Sequence, residues 1–332
     1  MSYSPMNYND IAPRIGVYAV AKFLDTAKDQ LCLERFGMTT VLPKKKGLVV
    51  KWRRPIPFAV VDVAVSEGVT PAPQFLQYED VQVTIQQYGG WVPITDVILD
   101  THEDDNLNAI VEQLGMQAAA TKEAIIWGVI KGGTAVIYSG SATSTATIAA
   151  PLNADDIAFA VRELKGNHAL MLTKRLDGSS NFGSSAVGAS YVLVGHTNTE
   201  QDFVNMDGFV SVENYGSFKP IHDNEIGKVR SVRIILTPHL EPAFAAGSTS
   251  VAGVLSNGTN VDVYSSVVLG QDAFAIVPLA GMSSAKVVIK NPTETYEDPL
   301  AQRGFISWRM WYACKILNDA WMIRIEHAAS AL

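Results

Sequence analysis

The chain has 332 residues, of which 48% are hydrophobic and 18% are charged, and its formal net charge at pH 7 is −7. This length and hydrophobic fraction exclude a globally disordered protein and allow one large domain or two ordinary ones. The negative charge argues against a generic nucleic-acid-binding protein. The charged fraction is below the roughly 25% of an average soluble chain, which indicates a surface largely covered by other protein or one rich in Ser, Thr and Asn.

Charge is distributed unevenly along the chain. Residues 1–60 contain ten Lys and Arg against four Asp and Glu, whereas the remainder contains 16 against 29. Residues 55–121 contain no Lys or Arg. This asymmetry predicts a basic arm that pairs with an acidic body, either its own or that of a neighbour.

The N-terminal third predicts a helix followed by an extended arm. Apolar residues recur at three- and four-residue steps over residues 17–36, which is typical of a helix. Alternating patterns at residues 48–53 and 81–86 predict two strands, separated by a turn-rich segment at residues 66–73. We therefore expect residues 45–95 to form a long two-stranded arm.

The clearest predicted helix begins at Asp104-Asp105 and ends at Gly132-Gly133. Its apolar stripe continues for roughly 27 residues, which corresponds to about 40 Å. The acidic residues at its start are favourable near the positive end of the helix dipole.

The rest of the chain mixes short helices and strands. Asn153 and Asp156 predict a capped helix through Leu164, and Thr197-x-x-Glu200 predicts a capping box before a short helix. Residues 134–150 are predicted to be a loop or edge strand and residues 175–190 a loop. Further strands are predicted at residues 191–194, 229–236, 261–268 and 285–289. This mixture lacks βαβ regularity and predicts the α+β class.

The C-terminal segment alternates strongly over residues 303–326. Trp308, Met310 and Tyr312 share one face of a strand, and Asn318-Asp319 predicts a turn into a returning strand that contains Trp321. We expect these four aromatic and apolar side chains to pack in the core.

The sequence contains no recognisable catalytic, nucleotide-binding or metal-binding motif. His102-Glu103 begins like a zinc-protease helix, but Asn106 occupies the position of the second His. The acidic run lacks the glycine and spacing of a calcium loop; its members are Asp100, Glu103, Asp104 and Asp105. We therefore expect no enzymatic activity, no cofactor and no metal. Cys32 and Cys314 are expected to be reduced thiols, and no segment is apolar enough to predict a membrane span.

A basic run is the strongest local signal, and it consists of Lys44, Lys45, Lys46, Lys51, Arg53 and Arg54. It is compatible with a solvated face, with contact to acidic protein surface and, less well, with phosphate binding, because only Trp52 offers an interleaved aromatic. We predict contact with acidic residues of a neighbouring subunit, among them Asp100, Glu103, Asp104 and Asp105.

Several stretches, taken in order, resemble the major capsid proteins of tailed bacteriophages with the Hong Kong 97 fold, and most closely the branch that includes the phage N4 protein. They are residues 21–27 (AKFLDTA) with 33–37 (LERFG), 66–71 (SEGVTP), 88–96 (YGGWVPITD) and 298–308 (DPLAQRGFISW).

The resemblance implies a shell subunit that forms hexamers and pentamers around double-stranded DNA in the virion, after synthesis in the host bacterial cytoplasm. It implies, in turn, an N-terminal arm and helix, an extended loop, a peripheral domain with a spine helix, an axial domain and the C-terminal strands of the peripheral domain. The corresponding ranges are 1–44, 45–97, 98–135, 136–285 and 286–332.

The implied partners are other copies of the chain, a portal, decoration proteins, non-specifically bound DNA and a separate scaffolding protein. The scaffolding protein is expected to be separate because the first helix begins soon after Met1. Cross-linking from the extended loop is not supported, since residues 55–121 contain no lysine. Two alternatives remain: the shell protein of a bacterial nanocompartment with the same fold, and a hydrolase, for which no nucleophile–base pair can be named.

Overall fold

The computed structural model describes residues 31–331, apart from residues 63, 65–66, 69, 97–105, 177–183, 217–218, 250, 281–284 and 295–298. The predicted first helix therefore lies mostly outside the described residues, and its last turn, Leu33–Phe36, is a 3-10 helix. The acidic residues Asp100, Glu103, Asp104 and Asp105 also lie outside them. No helix within the described ranges is long and apolar enough to cross a membrane.

Three α-helices lie within the described residues: α1 (Asn106–Ile130), α2 (Ala154–Gly166) and α3 (Glu200–Val204). Helix α1 is the predicted long helix. It ends at Ile130, just before the predicted stop at Gly132-Gly133. Helix α2 begins as predicted, because the side chain of Asn153 accepts hydrogen bonds from the backbone of Asp155 and Asp156. The turn before α3 is capped by the His196 side chain and not by the predicted Thr197.

The strands are short and are distributed over the whole described chain. They are β1 (Met38–Thr39), β2 (Val49–Pro55), β3 (Tyr78–Thr84), β4 (Gln86–Thr95), β5 (Val136–Tyr138), β6 (Leu172–Leu176), β7 (Ser184–Gly195), β8 (Phe209–Ser211), β9 (Glu225–Val229), β10 (Val232–Leu236), β11 (Tyr264–Leu269), β12 (Phe274–Ile276), β13 (Lys286–Lys290), β14 (Arg303–Tyr312), β15 (Cys314–Ile316) and β16 (Met322–His327).

These strands form four sheets. The largest has the order β5-β16-β11-β7-β10-β9-β8, with β6 paired to β7. The others are β13-β14-β4, β1-β12-β15 and the two-stranded pair β2-β3. The three helices are interspersed among the strands without a repeating βαβ unit, as expected for the α+β class.

The two-stranded arm is shorter than predicted. Strand β2 pairs with β3, from Val49 opposite Thr84 to Pro55 opposite Tyr78. Strand β4 leaves the arm and pairs with β14 along its whole length. The strand pairing changes at Ile85, which lies between β3 and β4. The Ile85 side chain is buried against the body, and β4 therefore continues along the body and not beside β2.

The C-terminal strands do not form the predicted returning pair. Strand β16 pairs with β11 and β5 in the large sheet, whereas β14 pairs with β13 and β4. Nearly every residue of β16 is buried, which is the burial of a central strand covered on both faces and not of a half-exposed hairpin strand. The predicted strand at residues 229–236 is likewise two strands, β9 and β10, joined at Arg230, whose φ is 53°.

Two large hydrophobic clusters form the core. The first packs α1 against β4 and β14, and it contains Trp308, Met310 and Tyr312, each at most 3% exposed. The second packs α2 against β7, β10 and β16. Trp321 is partly buried and contacts both clusters, and its Nε1 donates to the carbonyl oxygen of Asn167 at 3.1 Å.

The buried carboxylate of Glu123 anchors the first described segment to helix α1. Its Oε1 accepts hydrogen bonds from the backbone N–H groups of Cys32 at 2.8 Å and Leu33 at 3.0 Å. Next to it, Lys122 pairs with Glu34 at 3.1 Å. Burial raises the pKa of Glu123 from its ordinary value of 4.5 to about 7, against the opposing effect of the backbone donors.

This raised pKa predicts a stability that falls as pH rises. Between about pH 4.5 and pH 7 the folded chain holds a proton on Glu123 that the unfolded chain has released, so the free energy of unfolding falls with pH across this window. Relative to Glu123→Gln, the wild type should lose on the order of 3 kcal/mol between pH 5 and pH 8. Urea unfolding of both isolated subunits at the two pH values measures this difference. Parallel pH profiles would contradict the prediction.

Candidate assembly surfaces

The base of the arm is packed on the body. Leu42, Val50 and Ile85 form a buried cluster with Val277 and Ala313, which flank the β12–β15 pair. The indole Nε1 of Trp52 donates to Thr40 Oγ1 at 3.2 Å. The base of the arm is therefore fixed to the body of its own subunit.

The tip of the arm has no such support. Every described residue from 56 to 77 is exposed, and Val60 and Phe75 are 90% and 78% exposed. The large apolar side chains exposed here are Ile56, Phe58, Val60, Val61, Phe75 and Leu76. Contiguous exposed apolar surface of this kind marks a site of contact with another molecule. We call residues 56–77 the arm tip.

Half of the predicted basic run has partners on the arm itself. Lys51 Nζ lies 2.7 Å from Asp80, Arg53 Nε lies 3.0 Å from the same carboxylate, and Arg54 pairs with Glu79. The hydrogen bonds from Arg53 and Lys51 lower the pKa of Asp80 to about 2. From the sequence, we predict that these cations contact a neighbouring subunit, and that contact stays a prediction. Within the arm, the pairing of β2 with β3 places Asp80 and Glu79 beside them, and the opposite charges of residues 51–54 and 79–80 were the sequence signal for these pairs.

The other half of the run forms an exposed basic turn. Lys44, Lys45 and Lys46 lie in a turn before β2, where Lys45 has a φ of 62° and Gly47 one of 91°. Within the described part of the chain, none of the three lysines has an ion pair. These three cations remain available for contacts outside the subunit.

A second exposed apolar feature lies on the body around Trp91, which is 67% exposed. A shallow open depression lies on its β14 side and is lined by Phe305, Ser307 and Arg309. A second open depression lies on its α1 side and is lined by residues including Ala109, Ile110 and Gln113. We call this surface the Trp91 face. Sequence reasoning missed Trp91 because its strand alternates like any half-buried strand.

The adjacent Gly90 explains how this face is built. A Cβ atom at Gly90 would lie 2.7 Å from Gln117 Oε1 and 3.1 Å from Trp308 Nε1. Those two atoms hydrogen-bond to each other at 2.9 Å. The absence of a side chain at Gly90 therefore lets β4 approach α1 closely enough for Trp308 to be buried beneath it.

The described residues show no grouping suited to metal binding: no set of three or more His, Cys, Asp or Glu lies close enough together. Cys32 and Cys314 are both buried and unbonded. Burial raises the pKa of the Cys314 thiol to about 12, which leaves it protonated and unreactive.

Comparison with known proteins identifies the family. A family described as "Phage capsid protein" matches residues 78–325. The major capsid protein of Pseudomonas phage KPP21 is 22% identical over 264 residues, which cover 74% of this chain and 66% of that protein. The match thus spans just under two thirds of the relative's length.

The solved structures agree in fold. The capsid of Ralstonia phage GP4 has a TM-score of 0.64 at 12% identity and covers 92% of both chains. The capsid of cyanophage Pam1 has a TM-score of 0.59 at 12% identity and covers 100% of this chain and 97% of that one. The chain belongs to the phage capsid protein family, has the α+β Hong Kong 97-like capsid fold, and is a structural protein of the virion.

Proposed function

We propose that the chain is the shell subunit of a tailed phage, and that it assembles with itself into the hexamers and pentamers of an icosahedral capsid around double-stranded DNA. The observation that carries this proposal is the arm tip, a long apolar projection with no partner surface on its own described chain. Both the matching family and the curated relative are phage proteins, which disfavours the nanocompartment alternative.

The proposed domain division follows the ranges of the capsid resemblance. Residues 1–44 would form the N-terminal arm and helix, and residues 45–97 the extended loop. Residues 98–135 and 286–332 would form the peripheral domain, and residues 136–285 the axial domain. Strand β16 crosses this division, because it lies in the large sheet beside β11. The large sheet would therefore tie the chain terminus to the axial domain.

Assembly would bring the arm tip of one subunit onto the Trp91 face of the next. Both surfaces are exposed in the single chain, and the open depressions that flank Trp91 are lined largely by apolar atoms. Burying an exposed apolar side chain contributes about 1.5–3 kcal/mol. Several such residues on each arm would make this contact a main source of cohesion in the shell.

Electron microscopy of the purified protein tests the assembly role. The chain expressed with the scaffolding protein of its phage should give shells or capsomers in negative stain. A discrete monomer under all assembly conditions would overturn the proposal.

The basic turn would steer this contact. Lys44, Lys45 and Lys46 would face acidic surface of the adjacent subunit, with Asp100, Glu103, Asp104 and Asp105 as the proposed partners. Each exposed pair contributes about 0–1 kcal/mol, but the sum over all contacts in a shell is large and is screened within about 8–10 Å by physiological salt.

Charge reversal at the basic turn should therefore impair assembly. We expect the variant Lys44→Glu, Lys45→Glu, Lys46→Glu to lower shell yield about tenfold, most strongly at low salt, because opposite charges become like charges at every contact. The matched variant with Arg at the three positions keeps the charge and should assemble normally. Normal yield of empty shells from the Glu variant, with loss of DNA retention alone, would place these lysines against DNA instead.

The remaining partners are proposed from the resemblance: a separate scaffolding protein, a portal, decoration proteins and non-specifically bound DNA. We also propose membership of the branch that includes the phage N4 capsid protein, on the strength of the sequence stretches named above. A non-enzymatic role is consistent with the family.

A further inference from the structure

A small basic cavity lies beside β7 and the β9–β10 hairpin of the large sheet, and it shares no lining residue with the arm or the Trp91 face. Its volume is about 130 Å³, roughly four times the ~30 Å³ that one water occupies in the liquid. This is room for one tetrahedral oxyanion. The cavity is lined by Gly188, Ala189 and Ser190 of β7, by Tyr215, and by Lys228, Arg230, Ser231 and Arg233 of the β9–β10 hairpin.

The innermost cation is Arg233, which is 4% exposed. Its Nη1 donates to the carbonyl oxygen of Lys219 at 3.0 Å and to Glu225 at 3.2 Å. Both of these hydrogen bonds come from Nη1, which leaves the other guanidinium N–H groups of Arg233 out of them. Arg233 therefore lines the cavity with a fixed guanidinium that still has donors to offer.

The carboxylate that pairs with Arg233 also accepts hydrogen bonds from two other groups. Glu225 is buried and accepts hydrogen bonds from Tyr215 Oη at 2.7 Å and from the backbone N–H of Ile221 at 2.5 Å, in addition to Arg233. It balances one positive charge and holds both the guanidinium and the Tyr215 ring in place.

Two further cations are not balanced. Lys228 Nζ lies 5.3 Å from the centre of the Tyr215 ring, and among the described residues neither Lys228 nor Arg230 has an ion pair. Arg230 lies in the tight turn between β9 and β10, with a φ of 53°, and it is an exposed residue of the cavity lining. With one carboxylate against three cations, the cavity carries an excess of two positive charges.

A buried hydroxyl completes the lining. Ser190 is 5% exposed, and its Oγ has no hydrogen-bond partner within the described residues. Buried polar atoms are nearly always paired, because leaving one unpaired costs about 1–3 kcal/mol. A ligand with several acceptor oxygens would supply the missing partner and would meet the guanidinium and ammonium donors at the same time.

We propose that this cavity binds a single phosphate group, either as free inorganic phosphate or as one phosphodiester of nucleic acid. Phosphate matches the cavity in size, in charge and in its number of acceptor oxygens, and arginine is the side chain best suited to its geometry. The site is independent of the proposed assembly role, since it shares no residue with the arm tip, the basic turn or the Trp91 face.

Calorimetric titration of the isolated full-length subunit with inorganic phosphate, in chloride buffer of constant ionic strength, tests the site. Wild-type protein should bind one phosphate per chain and show a raised melting temperature. The variant Lys228→Gln, Arg230→Gln should bind about tenfold more weakly, because two charge-assisted contacts are lost. Arg233 is left intact, since its removal would strand the buried Glu225 and could unfold the chain.

The matched control is Arg162→Gln, Lys165→Gln, which removes the same charge from the exposed side of α2 and should bind phosphate like the wild type. Competition with a short DNA duplex distinguishes the two sources. Displacement of phosphate by the duplex from the wild type and the control, but weaker duplex binding by the Lys228 and Arg230 variant, identifies a phosphodiester. Phosphate binding without displacement identifies the free anion. Absence of binding at millimolar phosphate, or equal weakening in both variants, overturns the proposal.

Discussion

Replacing Trp308 with alanine should destabilise the isolated subunit by about 3–5 kcal/mol, the loss expected for a fully buried aromatic side chain. Trp308 is 3% exposed and packs between β14 and α1, and its Nε1 donates to Gln117. Truncation removes the ring, leaves a cavity in the larger core cluster and leaves Gln117 without its partner. Since single domains are stable by only about 5–15 kcal/mol, we expect the variant to unfold at a much lower urea concentration than the wild type and to give less soluble protein.

Two control variants test whether the expected loss comes from the burial of this ring. Trp308→Phe keeps most of the ring and should cost clearly less than Trp308→Ala. Trp91→Ala removes the same side chain from an exposed position on the neighbouring strand, so it should leave the free energy of unfolding within about 0.5 kcal/mol while reducing assembly. Urea unfolding measures all three. A soluble, normally assembling Trp308→Ala protein would show that this ring is not part of the core.

The arm tip should be decisive for assembly and unimportant for folding. The double variant Val60→Asp, Phe75→Asp places two carboxylates where apolar contact with a neighbour is proposed, so each contact loses the apolar burial of two side chains and incurs the cost of burying charge. We expect at least a tenfold loss of shells, with an unfolding midpoint close to that of the wild type. Sedimentation and negative-stain microscopy measure the first quantity, and urea unfolding measures the second.

A control with the same chemistry uses exposed apolar residues elsewhere. Phe159 and Leu170 are 42% and 57% exposed and lie outside the arm, so their change to Asp should reduce assembly much less. Hydrogen exchange adds an independent measurement: the backbone of β3 should be protected in the free subunit, whereas residues 56–77 should gain protection only in shells. Equal exchange of the tip in both states, or normal shells from the tip variant, would contradict its proposed role.

Local patterns in the sequence were sufficient for most individual elements. The apolar spacing of α1 and the glycines after it predicted a long helix that the structure contains, and Asn153 predicted the cap of α2. The strict alternation of β14 predicted which of its side chains lie on one face. These features depend on neighbours three to four residues away along a helix or two away along a strand, which a single sequence displays directly.

Partners across long sequence distances were decided only in the folded chain. Strand β4 continues directly from β3, yet it pairs with β14 more than 200 residues later in the chain. Strand β16 likewise joins β11 and β5 instead of β14. The residue pattern of a strand states which side is buried but not which other strand will cover its edge, because that choice depends on how all buried faces fit together.

The candidate surfaces, too, depend partly on local sequence and partly on the folded chain. Charge distribution alone identified the basic run, but the register of β2 against β3 decided that Arg53 and Arg54 face Asp80 and Glu79, while Lys44 to Lys46 remain free of ion pairs within the described residues. The phosphate cavity has no sequence signature, since β7 and the β9–β10 hairpin contribute residues that are about 40 positions apart. The sequence by itself determined the class of fold and the kinds of element. The tertiary structure decided which side chains converge, because convergence arises from packing between elements distant in the chain and not from the order of residues within any one of them.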